Sequence, residues 1–245
     1  MTTTTKTAVI TGSASGIGLD IARAFLEAGT NVVLNGRDPD KLTRVAEDLG
    51  SSDRVAFVAG NIGAKRTGEA LVHVALERFG RVDVLVNNAG TFAPKPFTDV
   101  TEVELDGYLQ GNLKGTFLTT QAIVRQMKRQ GGGSIINIGT VLIDHAIASF
   151  PASAPLVSKG GVHALTISLA AELASDGIRV NAVAPGVIRT PLHGGGDVDS
   201  FGGLALLNRV GEVKEISEAV LYLADAAFVT GQILHVDGGF VNGRA

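Results

Sequence analysis

The chain has 245 residues, of which 45% are hydrophobic and 18% are charged, and its net charge at pH 7 is −3. This composition excludes a disordered chain, and the weak charge without a basic stripe argues against a nucleic-acid partner. Cysteine is absent, which excludes disulfides, thiol catalysis and cysteine-ligated metals, and we expect no metal site. Because no apolar leader or membrane-spanning run is present, we expect a cytoplasmic protein that binds no membrane.

Short apolar strands alternate with helix-length segments along the chain. Strands are predicted at residues 7–11, 31–36, 54–60, 82–90, 133–139, 177–186 and 233–239. Strands that are apolar on both faces and separated by helices indicate a parallel sheet covered on both sides. We therefore predict an α/β fold, doubly wound, with about seven parallel strands and helices on both faces. We expect one domain over residues 1–245, with a flexible substrate-loop segment at 193–210.

A glycine-rich turn, TGSASGIG at residues 11–18, joins the first predicted strand to the first predicted helix. Gly12 allows a tight turn, and Gly16 and Gly18 allow close backbone approach and close helix packing. The helix N-terminus then offers free N–H groups and a positive dipole to a pyrophosphate. The turn therefore predicts a dinucleotide site, the alternative being a glycine turn with a structural role only.

The end of the second strand selects the cofactor in sites of this kind. An acidic residue there would bind the ribose hydroxyls of NAD, but this chain has Asn35-Gly36-Arg37. Arg37 can pair with a 2′-phosphate, which favours NADP(H) over NAD(H); the alternative is a solvated surface arginine. Asp38 is predicted to cap the next helix, with Pro39 at its first position.

Further motifs follow in a fixed order. These are NNAG at 87–90, GNLKGTF at 111–117, SIINIG at 134–139, VSKGGVHALT at 157–166, GIRVNAVAPGVIRTPL at 177–192 and VTGQILHVDGGF at 229–240. Together with the glycine turn, this set resembles the short-chain dehydrogenase/reductase family over nearly the whole chain. The resemblance implies a Rossmann-type fold, a nicotinamide cofactor, and hydride exchange with a small-molecule carbonyl or alcohol. It also implies a homo-oligomer, a tetramer or dimer, built through the Lys159 helix and the C-terminal strand.

The resemblance also implies a set of cofactor-binding residues. Asn61 stands where the family usually has an aspartate that touches adenine, and Lys159 would hold the nicotinamide ribose. The full set is Gly12, Ser15, Gly16, Ile17, Gly18, Arg37, Asn61, Asn88, Ala89, Gly90, Lys159, Pro185, Gly186, Ile188 and Thr190.

The catalytic set implied by the resemblance has a gap. Asn112 and Lys159 match the family pattern, and Thr140 supplies a hydroxyl at the family's serine position. The family's tyrosine, which acts as the acid, is replaced by Pro155, and the chain's two tyrosines, Tyr108 and Tyr222, lie far from it in sequence. Proline suits the first turn of a helix, so the lysine-bearing helix is expected to form, with Ser153 or Ala154 as its cap.

Several side chains are candidates for the missing acid. His145 ranks first, since it lies in the loop between Thr140 and Pro155 and titrates near neutral pH; the alternative is an exposed loop histidine. Lys159 can donate through water, and His163, four residues later on the same helix face, is assigned a structural role. Asp144, Ser153 and His193 rank lower.

Three functions remain open at this point. The first is an NADP(H)-dependent oxidoreductase acting on a carbonyl, alcohol or imine-type small molecule with a non-tyrosine proton donor. The second is a catalytically silent NADP(H)-binding homologue that serves as a sensor or an oligomer partner. The third is an enzyme of another class on the same fold, such as an epimerase or a lyase.

Overall fold

The computed structural model describes residues 5–50, 53–191 and 197–243. A seven-stranded parallel sheet has the strand order β3-β2-β1-β4-β5-β6-β7. The strands are β1 (Thr7–Ile10), β2 (Asn31–Gly36), β3 (Val55–Ala59), β4 (Val84–Asn87), β5 (Gly133–Ile138), β6 (Ile178–Pro185) and β7 (Ile233–Val236). The predicted α/β fold is therefore confirmed, and the order reverses between β1 and β4, where a crevice opens at the carboxyl ends of the strands.

In the described ranges, seven α-helices connect the strands. They are α1 (Gly16–Glu27), α2 (Pro39–Asp48), α3 (Lys65–Phe79), α4 (Glu102–Tyr108), α5 (Gly115–Gln130), α6 (Ser153–Glu172) and α7 (Val213–Asp225). A π-helical stretch, Leu109–Lys114, lies between α4 and α5. No helix in the described ranges is both long enough and apolar enough to cross a bilayer.

The core forms two apolar layers, one on each face of the sheet. Side chains alternate along each strand, so Val9 and Val33 pack in the layer with α3 and α5, whereas Ile10 and Leu34 pack in the layer with α1 and α7. All four are fully buried. Both faces are covered because the strands are apolar on both sides, and this fixes the strand ends that form the crevice.

The start of α6 differs from the prediction by one residue. The cap is Ala152 and not Ser153 or Ala154, and it makes no side-chain hydrogen bond. A polar cap normally accepts from the N–H of the second or third helical residue, and here the third is Pro155, which has no N–H. With fewer N–H groups to satisfy, the helix begins without a polar cap.

Part of the predicted substrate loop lies outside the described residues, namely 193–196 with His193. The following residues form a 3-10 helix, Val198–Leu204, in which Val198 and Gly202 are buried. Beyond it, the Leu207 N–H donates to the Gly238 carbonyl at 3.0 Å. The loop therefore packs against the segment that follows β7.

Candidate functional site

A cleft of about 620 Å³ opens at the carboxyl ends of the central strands. Its walls include Gly12 after β1, Gly90 after β4, Gly139 after β5 and Gly186 after β6. Of the predicted cofactor-binding residues, those that line the cleft are Gly12, Ser15, Gly16, Ile17, Asn88, Ala89, Gly90, Lys159, Pro185, Gly186, Ile188 and Thr190. The fold thus brings most of the predicted set to one cleft, and Gly18, Arg37 and Asn61 lie outside its lining.

The glycine turn has the geometry that a pyrophosphate requires. Gly12 and Gly16 have φ of +65° and +55°, which L side chains rarely adopt. A Cβ atom on Gly18 would lie 2.4 Å from Asn88 Nδ2, so only glycine fits between α1 and the segment that follows β4. Ser15 precedes α1 in an extended conformation, and its side chain makes no capping bond. The first N–H groups of α1 are thus left for an anion, and the turn fits a dinucleotide.

The NNAG segment fixes the shape of this turn. The Asn88 side chain donates to the Thr11 and Gly12 carbonyls, both at 3.0 Å. The backbone N–H groups of Asn88 and Ala89 both donate to Thr11 Oγ1 at 3.0 Å. Asn88 and Ala89 therefore line the cleft and also tie the ends of β1 and β4 together.

The end of β2 presents an arginine and no available carboxylate. Asn35 is buried, and its Nδ2 donates to the Val58 and Gly60 carbonyls. Asp38 caps α2 as predicted, with Oδ1 accepting from the Lys41 N–H at 3.1 Å. Arg37, between them, is exposed.

Asn61 forms a local turn beyond β3. It is exposed, and its Oδ1 accepts from the Gly63 N–H at 2.9 Å. This oxygen is therefore already engaged within the chain. Asn61 lies outside the lining of the cleft, and its contact with adenine stays a prediction.

Asn112 and Lys159 meet below Gly90. A Cβ atom on Gly90 would lie 2.9 Å from Asn112 Oδ1 and 3.5 Å from Lys159 Nζ. Asn112 is buried in the π-helical stretch, where Oδ1 accepts from the Thr91 N–H at 2.8 Å and Nδ2 donates to Ser158 Oγ at 3.0 Å. Ser158, which no sequence motif marks as a site residue, thus links Asn112 to α6. Such π-helical stretches occur frequently at functional sites.

Lys159 is a buried base at the floor of the cleft. Lys159 is only 8% exposed, and its Nζ donates to the Ile138 carbonyl at 2.6 Å. Burial lowers the pKa of Lys159 to about 8. Loss of hydration disfavours the ammonium form, so both protonation states are accessible near neutral pH.

Thr140 contributes a hydroxyl group to the lining of the cleft. Its Oγ1 accepts from the Leu142 N–H at 3.3 Å and so caps a 3-10 turn over Val141–Ile143. Accepting that bond leaves the hydroxyl proton free to be donated into the cleft, which Thr140 lines.

Pro155 stands where the resemblance implies a tyrosine. Pro155 is buried in the first turn of α6, and its carbonyl accepts from Ser158 Oγ at 2.7 Å. His145 packs its ring edge-on against Phe240 at 5.2 Å between centroids and lies outside the lining of the cleft. Asp144 Oδ2 lies 3.0 Å from His235 Nε2. Of Asp144, His145 and Lys159, only Lys159 is in the lining of the cleft.

His163 has a contact that sequence reasoning missed. The residue is 8% exposed, and a Cβ atom on Gly139 would lie 2.1 Å from its Nε2. The imidazole therefore occupies the space that a side chain at 139 would need. Nε2 has no hydrogen-bond partner within the described residues. Burial lowers the pKa of His163, which keeps the ring neutral.

Comparisons with known proteins agree with this geometry. The profile of the family described as Enoyl-(Acyl carrier protein) reductase matches residues 12–241. The 7alpha-hydroxysteroid dehydrogenase of Clostridium sardiniense is 37% identical over 248 residues, with 97% of this chain and 94% of the relative covered.

Two solved structures are similar over nearly the whole chain. A short-chain type dehydrogenase/reductase from Mycobacterium marinum has a TM-score of 0.92 at 32% identity, with 97% of this chain and 96% of that chain covered. A gluconate 5-dehydrogenase from Burkholderia cenocepacia, solved with NADP and tartrate, has a TM-score of 0.89 at 31% identity and the same coverage. The cleft, the ordered motifs and these similarities together assign the chain to the short-chain dehydrogenase/reductase family, and the dehydrogenases among these relatives are oxidoreductases that act on CH–OH groups.

Proposed function

We propose that this chain is an NADP(H)-dependent oxidoreductase that interconverts an alcohol with a carbonyl, or an amine with an imine, using Lys159 in place of a tyrosine acid. The observation that supports this most directly is Lys159 itself. It lines the cleft, Nζ bonds the Ile138 carbonyl, and its pKa is lowered to about 8. A general acid works best when its pKa lies near the working pH.

The chain's residues divide the work as follows. A bound nicotinamide cofactor supplies or accepts the hydride. The α1 N-terminus and the glycine turn hold its pyrophosphate, and the Thr140 hydroxyl donates a hydrogen bond to the substrate oxygen. Lys159 holds the proton at Nζ and passes it to that oxygen directly or through one water. Asn112, bonded to Ser158 on α6, keeps the lysine-bearing helix in place.

His145 remains the second candidate donor. Its ring would have to leave the edge-on contact with Phe240 to reach a substrate. An iminium substrate would need neither donor, since its nitrogen already carries the proton.

Binding and turnover together test the function. We expect the fluorescence of NADPH to increase when it binds the protein. We also expect NADPH to be oxidised in the presence of at least one member of a panel of ketones, enones and imines. Tight binding with no oxidation of any panel member would favour a catalytically silent NADP(H)-binding protein. Absence of binding would overturn the proposal altogether.

The NADP(H) preference predicts an asymmetric effect of Arg37→Ala. A lost charge-assisted hydrogen bond is worth about 1.5–3 kcal/mol, so the Kd for NADPH should rise by about tenfold to a hundredfold while that for NADH stays within about twofold. Arg44→Ala, which removes an exposed arginine from the neighbouring helix α2, is the matched control. Fluorescence titration with both cofactors measures the effect, and equal weakening of both would remove the assignment to the 2′-phosphate.

A homo-oligomer is also proposed, as a dimer or tetramer. Its support is the exposed apolar side chains on α5 and α6, namely Phe117 (49% exposed), Val157 (60%) and Ile167 (57%). Exposed apolar groups on neighbouring helices are typical of surfaces that another subunit covers.

A further inference from the structure

The half of the cleft away from the glycine turn has apolar walls built from distant parts of the chain. Phe92 follows β4, and Leu142, Ile147 and Phe150 come from the segment between β5 and α6. The rings of Phe92 and Phe150 stack, with centroids 6.2 Å apart and planes 11° from parallel. We call this half the ring subsite; its remaining apolar residues are Val141, Val187, Phe201, Leu204 and Phe240.

Charged side chains near the ring subsite are already paired within the chain. Arg189, between two lining residues, bonds Asp199 and also Glu212, the latter at 3.0 Å. Asp237, at the end of β7, accepts the Gly239 and Val241 N–H groups at 2.8 and 3.0 Å. Neither is left to hold a charged ligand.

Lys159 is the one charged side chain among the described lining residues, and it lies at the floor bonded to Ile138. A substrate carboxylate in the ring subsite would therefore lose hydration and gain no cation. A sugar would bind little better, since several of its hydroxyls would face apolar walls; besides Thr140, the segment between β5 and α6 contributes only Ser149 as a polar side chain to the described lining.

Resting on the proposed function, we infer that the substrate is an uncharged cyclic apolar ketone or its secondary alcohol. Its ring packs against the Phe92–Phe150 pair, and its oxygen points towards Thr140 and Lys159. Flat aromatic walls suit an alicyclic or aromatic ring, because such rings bury a large apolar area without unpaired polar groups.

Matched probes test the inference by turnover. We expect kcat/KM for cyclohexanone and 1-tetralone to exceed that for 4-oxocyclohexanecarboxylate and for a ketohexose by about a hundredfold, since a buried unpaired polar group is strongly rejected. Phe92→Leu and Phe150→Leu should each raise the KM for 1-tetralone about tenfold and leave NADPH affinity unchanged. Phe97→Leu, at an 80% exposed position in the same loop as Phe92, is the control and should change neither value.

Calorimetric binding of the same probes and their alcohols to the protein–NADP complex separates the two proposals. Preferential binding of the apolar ring compounds without turnover would leave the ring subsite standing and overturn the proposed function. Turnover that favours the carboxylate or the ketohexose would leave the function standing and overturn the ring subsite. Unchanged KM values in both phenylalanine variants would overturn it as well.

Discussion

Replacing Lys159 by methionine is expected to lower kcat/KM by about 10² to 10⁴ and to raise the stability of the cofactor-free protein at pH 7. The first effect is the usual contribution of a positioned general acid or base. The second follows from burial, because the pKa falls from 10.5 to about 8, which corresponds to a cost of about 3 kcal/mol for the charged form. Methionine fills similar space and carries no charge.

The pH dependence of stability has a definite sign. Between about pH 8 and pH 10.5 the unfolded chain holds the Lys159 proton and the folded chain does not, so stability rises with pH in that window. The advantage of Lys159→Met should therefore be largest below about pH 8 and vanish above pH 10.5. Urea unfolding of both proteins at pH 7 and pH 10 measures this difference.

The rate of ketone reduction by the wild-type protein should also depend on the protonation of Lys159. It should fall as pH rises, whereas stability rises. With Lys159 as the proposed donor, reduction needs its ammonium form, so kcat/KM for a ketone should fall as pH rises through about 8, and alcohol oxidation should rise. His145→Ala is the matched control and should retain activity within about twofold. Should the histidine variant lose activity while Lys159→Met keeps it, the donor would be His145.

Pro155→Tyr is expected to increase ketone reduction by at least about tenfold, the lower side of what a positioned acid contributes. Position 155 precedes Lys159 by one helical turn on the same face of α6, so a phenol there would extend towards Nζ. A neighbouring ammonium lowers the pKa of the phenol from its usual value of about 10.

Pro155→Phe separates the hydroxyl from the ring. It introduces the same bulk without an acid, so steady-state assays should show no gain in ketone reduction. Equal rates for the two variants would mean that the cleft lacks something besides the tyrosine. Reduction of an iminium ion, which already carries its proton and needs no acid, should differ little between them.

The sequence predicted those features that depend on local pattern. Apolar strands separated by helices specified the parallel sheet, and the glycine turn lies before α1 at the cleft, between a strand and a helix as predicted. Asp38 was identified as a cap from its place before Pro39, and the structure shows that bond.

Features that depend on contacts between distant segments were not predictable. Phe92 and Phe150 lie far apart in the chain, and neither has a local pattern that marks it as cleft lining. Ser158 gained its role only through Asn112, which approaches from the π-helical stretch.

The Gly139–His163 contact restricts the order in which this site can change. Any side chain at 139 would meet the buried imidazole, since even a Cβ atom would lie 2.1 Å from Nε2. A serine at 139 would therefore require the His163 ring to shift or residue 163 to be shortened, whereas shortening His163 first leaves a void but no collision. Substitutions at the start of the loop after β5 therefore depend on the residue at position 163 of α6, and a shorter side chain there should be introduced first.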